Sequence, residues 1–314
     1  MTTLRIGTRG SALALWQSRY IASRLREIVP DIVVELVEIS SEGDRVTDVP
    51  LSHVEGTGFF TAAIERALLS GEVDVAVHSH KDLPVESTPG LVVAAVPPRA
   101  PAEDVLCGRS GMTLAQLPPR ARVGTCSARR TAQVLEMRSD VEIVPLRGNV
   151  PTRVARVGAD LDAVVLAKAG LSRLGLTSAI SETFPLDRVL PAPAQGALAV
   201  QCRADDQAVR ERLAMLDHDP TRRAVAAERS LLHALEGGCS VPVGAAAWID
   251  ESRIHLLAGV FDLRGERTVR VSETGDEPVA LGERAAQLLL ARGAAAILSA
   301  FGRTPTVSAG VAGQ

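Results

Sequence analysis

Apolar residues in the first two-thirds of the chain fall into two alternating patterns. Short continuous runs, LRIG, DIVVELVEI, VDVAVHS and LVVAAVP, have the length and composition of buried strands. Between them, SALALWQSRYIASRLREI and GFFTAAIERALLSG carry apolar residues at helical spacing, and the second closes at Gly71. Buried strands alternating with helices predict an α/β fold with mainly parallel sheets. The pattern then restarts. ARVGTCSARRTAQVLEM repeats the strand, Gly-Thr turn and helix of RIGTRGSALALWQ, and LDAVVLAKAGLSRLGL repeats the strand and turn of VDVAVHSHKDLP. Two similar α/β lobes are expected. Pro97, Pro98 and Pro101, and later Pro191 and Pro193, mark the crossings between them, so the chain returns to the first lobe near residue 195.

A different unit starts near residue 219. Asp219 is placed to cap a helix with Pro220 in its first turn, running through RRAVAAERSLLHALE to Gly237-Gly238. Strand-like segments follow at VPVGAAAWI, RIHLLAGVFD and RTVRVSE, then one helix at ERAAQLLLARGAAAILSAF. This predicts a small C-terminal α+β domain. The expected organisation is a discontinuous first lobe (1–96 and 196–216), a second lobe (97–195) and a third domain (217–314) with a frayed tail from about residue 304.

Composition narrows the function classes. At 314 residues, with 46% hydrophobic and 23% charged side chains, the chain suits several globular domains. A net charge of −3 and 3% aromatics offer neither a basic field nor stacking platforms for nucleic acid. No apolar run approaches the roughly 18 residues that span a bilayer. The start, MTTLRIGTRG, lacks a secretory core, so a cytoplasmic location is expected. Cys107, Cys126, Cys202 and Cys239 are widely spaced, which argues against a disulfide framework or zinc knuckle. Only Lys81 and Lys168 are lysines; the other 32 basic residues are arginines. A GC-rich genome would account for most of these. Arginines that cluster still matter, because their fork matches carboxylates.

Three turns are suited to anions: Thr8-Arg9-Gly10-Ser11, Thr125-Cys126-Ser127-Ala128-Arg129-Arg130, and Arg147 to Arg153 around Gly148-Asn149. Each places backbone N–H groups at a helix start or turn, with arginines and hydroxyls alongside. Alone, each is a weak signal and reads more readily as a polar turn with solvated arginines. Together, at the carboxyl ends of parallel strands, they predict a small ligand with several carboxylates or phosphates. In His78-Ser79-His80-Lys81-Asp82-Leu83-Pro84, two imidazoles and a carboxylate would share a face if the strand continued. Pro84 and the abrupt polarity end the strand near Ser79, so no metal is expected. Lys81 beside Asp82 reads as a site in which a buried carboxylate stabilises a developing cation and handles protons. Cys239, after Gly237-Gly238, is a thiol on an open loop; Cys107 and Cys202 lie in apolar runs and fit an inert role.

TRGS with LALWQ, HSHKDLP, VGTCSARR, LRGNVPTR, AGLSRLGL, PAPAQGAL and LEGGCSVPVG, in this order, resemble the porphobilinogen deaminase (hydroxymethylbilane synthase) family from about residue 4 into the third domain. The resemblance implies two lobes like type-2 periplasmic binding proteins, with a third domain presenting Cys239. It implies a transferase of tetrapyrrole biosynthesis joining four porphobilinogen molecules head to tail with loss of ammonia, and releasing hydroxymethylbilane by hydrolysis. It implies a dipyrromethane cofactor held as a thioether on Cys239. Its partners are porphobilinogen and the growing linear oligopyrrole. By the same resemblance, Asp82 is catalytic. Ser79, Lys81, Asp82, Thr125, Ser127, Arg129, Arg130, Arg153 and Gly170 hold the cofactor. Arg9, Ser11, Gln17, Arg147 and Arg173 face incoming substrate, and Gln195 and Gly196 lie on the returning crossing. Each pyrrole carries an acetate and a propionate, which accounts for the cations; loss of ammonia leaves a cation that a carboxylate stabilises.

Two positions depart from the family pattern. Thr57 stands where many relatives have lysine in a glycine-rich loop, and Cys126 precedes Ser127 where relatives have two serines. A thiol donates hydrogen bonds poorly, so binding there would lean on backbone N–H and Ser127. The alternative is a non-catalytic solute-binding or anion-sensing protein on the same two lobes. Such a protein needs the arginines but neither an accessible Cys239 nor the Lys81-Asp82 pair.

Overall fold

A computed structural model describes residues 2–29, 31–40, 61–235 and 241–301. The predicted Thr57 loop, the Cys239 loop and the C-terminal tail lie outside the described residues. Two five-stranded sheets and one three-stranded sheet organise the described residues. The first sheet contains β1 (Thr2–Thr8), β2 (Ile32–Glu38), β3 (Val75–Ser79), β4 (Leu91–Ala95) and β10 (Leu198–Arg203), in the order β2-β1-β3-β10-β4. The second contains β5 (Asp104–Gly108), β6 (Arg122–Gly124), β7 (Glu142–Val144), β8 (Ala163–Ala167) and β9 (Glu182–Thr183), in the order β7-β6-β8-β5-β9.

The two sheets share one plan. β1 runs parallel to β2 and β3, and β6 parallel to β7 and β8. Each sheet then has a single antiparallel strand, β10 in the first and β5 in the second. Each of those strands is the first that the chain forms after crossing from the other lobe. The sheets are therefore mainly parallel, as the unbroken apolar strands predict.

Helices cover the sheet faces. In the first lobe these are α1 (Ala12–Ile28), α2 (Ala62–Leu69) and α6 (Gln207–Ala214); in the second, α3 (Ala128–Met137), α4 (Val150–Val154) and α5 (Lys168–Arg173). Ile21, Ala22 and Leu25 of α1 pack with Val75 and Val77 of β3, while Ile64, Ala67 and Leu68 of α2 pack with Ala76 on the opposite face. The period-2 alternation of β3 thus serves two helical layers.

The third domain is an antiparallel sheet, β11 (Val243–Asp250), β12 (Arg253–Phe261) and β13 (Thr268–Gly275), packed on α7 (Asp219–Ala234), α8 (Pro278–Ala291) and α9 (Ala294–Ser299). α7 and α8 cross at Gly282, where a Cβ would stand 2.5 Å from the Ala227 carbonyl oxygen. Two local expectations are corrected. Asp219 is the first helical residue rather than the cap; the His218 side chain accepts from the Thr221 amide. The single C-terminal helix is two, because Gly293 takes a φ of +99° that starts a new axis. No helix among the described residues is long and apolar enough to cross a membrane.

Candidate functional site

The three anion-type turns owe their shape to helix capping. Ser11 Oγ accepts from the Ala14 amide at the start of α1 (3.3 Å), Ser127 Oγ from the Arg130 amide at α3 (3.4 Å), and Asn149 Oδ1 from the Thr152 amide at α4 (2.9 Å). Capping uses an oxygen lone pair, so the Ser11 and Ser127 hydroxyl protons stay available to an anion. Thr125 is buried, and its Oγ1 accepts from the Ser127 amide at 3.2 Å.

In the first lobe, Arg9, Ser11, Gln17, Ser79 and Asp82 line one cavity of about 70 Å³ at the carboxyl end of β3. Gln17 Nε2 donates to Ser79 Oγ at 2.7 Å, joining α1 to the strand end. β3 stops at Ser79, and His80–Asp82 form a 3-10 turn that carries Asp82 outward, so the carboxylate expected to be buried is exposed. The turn is held from outside: Arg229 of α7 donates to the carbonyl oxygens of Leu83 (3.3 Å), Pro84 (2.6 Å) and Val85 (3.2 Å). Buried His78 also lines the cavity. Burial, with Arg9 adding to it against an opposing contact from Gln201, pushes its pKa down to about 4, so it is a neutral imidazole near pH 7.

In the second lobe the two arginines of α3 converge on Asp104, the first residue of β5. Arg129 Nη1 donates to Asp104 Oδ2 at 2.7 Å; Arg130 donates to Oδ1 from Nη2 at 2.7 Å and from Nε at 3.1 Å. Asp104 has no exposed surface. Burial alone would raise its pKa, but the fields of Arg129 and Arg130 and their hydrogen bonds outweigh that and hold it far below the usual carboxylate range. Gln195, also fully buried, links this cluster to the first lobe. Its Nε2 donates to Asp104 Oδ1 (2.9 Å) and to the Ala102 carbonyl (2.7 Å), and its Oε1 accepts from Lys81 Nζ (3.2 Å). Burial lowers the Lys81 pKa to about 8, with Asp82 opposing and Arg130 assisting.

The remaining cations sit around this core. Arg153 donates from Nε to the Gly148 carbonyl at 2.7 Å; burial, then Arg130, lowers its pKa, against Cys126 and then Asp82 of the first lobe, which raise it. Arg173 donates from Nη2 to the Gly196 carbonyl at 2.7 Å, and burial lowers its pKa to about 10. Arg147 is half-buried at the loop before α4. Gly170 faces the first lobe: a Cβ there would lie 3.5 Å from Val150 Cγ2 and 4.0 Å from Leu13 Cδ2. Gly196 takes a φ of +86° with its would-be Cβ 2.4 Å from the Ala100 carbonyl oxygen, so only glycine fits where the two crossings touch. Exposed Cys126 is engaged locally, Sγ donating to the Leu146 carbonyl at 2.7 Å and accepting from the Leu146 amide at 3.0 Å. Burial raises the Cys107 and Cys202 thiols to about 11, in keeping with inert roles.

Among the described residues, cations therefore outnumber carboxylates around the site. Lys81, Arg129, Arg130 and Arg153 stand around Asp104 and Asp82, and burial disfavours the charge on Lys81, Arg129 and Arg153. That donor set fits a group bearing several carboxylates, with Asp82 the exposed anion beside it. Sequence reasoning missed Asp104. Its signal was a carboxylate that opens the apolar run DVLCG directly after Glu103 and must find a partner if the run is buried.

Two sequence families match the chain: "Porphobilinogen deaminase, dipyromethane cofactor binding domain" over residues 4–211 and "Porphobilinogen deaminase, C-terminal domain" over residues 222–291. The porphobilinogen deaminase of Brevibacillus brevis is 45% identical over 297 residues, covering 94% of this chain and 96% of that one. That of Geobacter sulfurreducens is 45% identical over 304 residues, covering 95% of each. Among solved structures, a nutrient binding protein from Burkholderia cenocepacia bound to methionine is 15% identical with a TM-score of 0.42, covering 67% of this chain and 89% of that one. With both family domains matched in order along most of its length, the chain belongs to the porphobilinogen deaminase family.

Proposed function

We propose that this protein is a transferase of tetrapyrrole biosynthesis that condenses four porphobilinogen molecules head to tail with loss of ammonia and releases hydroxymethylbilane by hydrolysis. The observation that carries the reading is the excess of desolvated cations around a cleft whose exposed carboxylate is Asp82. Lys81, Arg129, Arg130 and Arg153, with Ser79, Thr125, Ser127 and the Gly170 surface, hold the dipyrromethane cofactor. When bound, that group supplies the pyrrole terminus to which substrate units are added. Arg9, Ser11, Gln17, Arg147 and Arg173 bind the carboxylates of incoming substrate and of the growing oligopyrrole. Asp82 hydrogen-bonds pyrrole N–H groups, stabilises the cation left as ammonia departs, and exchanges the proton. The proposal includes lobes bounded at 1–96 with 196–216 and at 97–195, a third domain from 217, and a monomer acting in the cytoplasm.

The cofactor is tethered through Cys239. Cys126 is the rival thiol, and its double engagement with Leu146 favours a staple between two loops. Intact-protein mass spectrometry is expected to show the mass of two linked pyrrole units, mapping to the Cys239 peptide and lost in Cys239→Ser. Incubation with porphobilinogen is expected to release ammonia. An adduct on Cys126 defeats the attachment site; binding of porphobilinogen without its consumption makes the protein an anion receptor.

A further inference from the structure

Trp16 and Arg173 meet across the cleft. Trp16 lies on α1 of the first lobe and remains 36% exposed; Arg173 ends α5 of the second. The guanidinium carbon stands over the indole, 5.7 Å from the ring centroid. Trp16 also stacks on Tyr20 one helical turn on, with centroids 5.4 Å apart and planes within 7°. Arg173 makes no ion pair among the described residues; its contacts are the Gly196 carbonyl, this indole and the field of Tyr20. In a chain with 3% aromatic residues, a stacked pair at this spot is a specific feature.

A largely buried cation without a carboxylate needs another source of negative potential. The face of an indole supplies it, and the contact is strengthened by desolvation. The geometry also divides the guanidinium. The guanidinium carbon lies over the indole, the Gly196 carbonyl takes one hydrogen on Nη2, and the donors that have no partner among the described residues are left for a carboxylate. We infer that Trp16 is a positioning residue for substrate recognition: its ring, backed by Tyr20, holds Arg173 across the cleft with its donor edge presented to a carboxylate of the incoming pyrrole. The inference rests on the proposed reaction and adds to it a residue that acts through Arg173 rather than on the reacting atoms.

The test uses the full-length, cofactor-loaded protein. Trp16→Leu is expected to raise the KM for porphobilinogen roughly 3- to 10-fold with kcat little changed, and Trp16→Phe to recover most of the loss. The adduct mass should be unchanged in both, since the contact serves substrate rather than cofactor. Trp248→Phe leaves Trp16 as the only tryptophan. In that background, stopped-flow mixing with porphobilinogen should change the emission, and Arg173→Ala should remove the change. KM within twofold of wild type in Trp16→Leu, or emission blind to substrate, overturns the role of Trp16. Failure of the wild-type protein to consume porphobilinogen would instead overturn the reaction itself, so the two failures are distinguishable.

Discussion

Arg99 and Glu228 form a two-pronged ion pair, Nη1 to Oε1 at 2.7 Å and Nη2 to Oε2 at 3.0 Å, joining the first crossing to helix α7. The same carboxylate accepts the backbone amides of Ala194 on the second crossing and Ala247 on β11, each at 2.6 Å. Arg99 Nε in turn donates to the Gln195 carbonyl at 2.8 Å. One buried anion thus fastens both crossings and the third domain at a single point. Glu228→Gln leaves the guanidinium short of its counter-charge in a dry site and should cost about 3–5 kcal/mol. Urea unfolding measures it; a loss below about 1 kcal/mol would show that the junction is held by other contacts.

Asp104 poses the complementary case inside the site. Asp104→Asn removes the charge that holds Arg129 and Arg130 together and lets Gln195 and Lys81 shift. The variant should fold, weakened by about 3 kcal/mol, yet carry little of the pyrrole adduct. Asp104→Glu should recover part of the adduct, because the charge persists on a longer stem. A folded Asp104→Asn protein with full adduct and normal turnover would reduce Asp104 to a packing role.

Asp82 is exposed, so Asp82→Asn should leave stability within about 0.5 kcal/mol of wild type. Turnover should fall by about 10²–10³ or more, since an amide neither offsets a developing cation nor exchanges a proton. Turnover within a few-fold of wild type would remove Asp82 from the chemistry.

Lys81 gives a pH signature. Its pKa is about 8 in the folded protein against 10.5 as the ordinary value. Between those two values the unfolded chain holds a proton that the folded one lacks, so this group makes the ligand-free fold more stable as pH rises through that window. Anion binding has the opposite sign: a carboxylate beside Lys81 favours the ammonium form, binding takes up a proton, and affinity falls above about pH 8. Lys81→Arg should flatten that limb. Titrations of apo-protein with a linear oligopyrrole that weaken equally in Lys81→Arg would assign the limb to another group.

What the sequence makes legible is local. Capping residues, glycine stops and apolar period sit within a few positions of one another, so α1, α3 and the three anion turns can be read directly. What it hides is distant. Arg99 and Glu228 are 129 positions apart, and nothing in either neighbourhood marks the partner. Asp104 resembles a strand residue until the arginines of α3 fold over it. The antiparallel strand in each sheet is equally hidden, because strand direction depends on where the chain goes after a proline-rich crossing rather than on the strand's own residues. Ser11 and Ser127, readable as anion hydroxyls, prove also to cap their helices, a double use that only geometry separates.

The exchange of strands at the crossings also fixes an order of completion during synthesis. The second sheet is built from one continuous stretch, Asp104 to Thr183, and can close as soon as that stretch has emerged from the ribosome. The first sheet cannot. Among the described residues β4 pairs only with β10, and β3 has β10 as its other neighbour, so both keep open hydrogen-bonding edges from Ala95 until Leu198 to Arg203 arrive. The amino-terminal half of the molecule, made first, is thus finished after the middle. Nascent chains stalled so that Thr183 has left the ribosome while Leu198 has not should show protease-resistant second-lobe fragments beside a digestible β4. Resistance of both lobes at that length would mean that the first sheet closes without its shared strand.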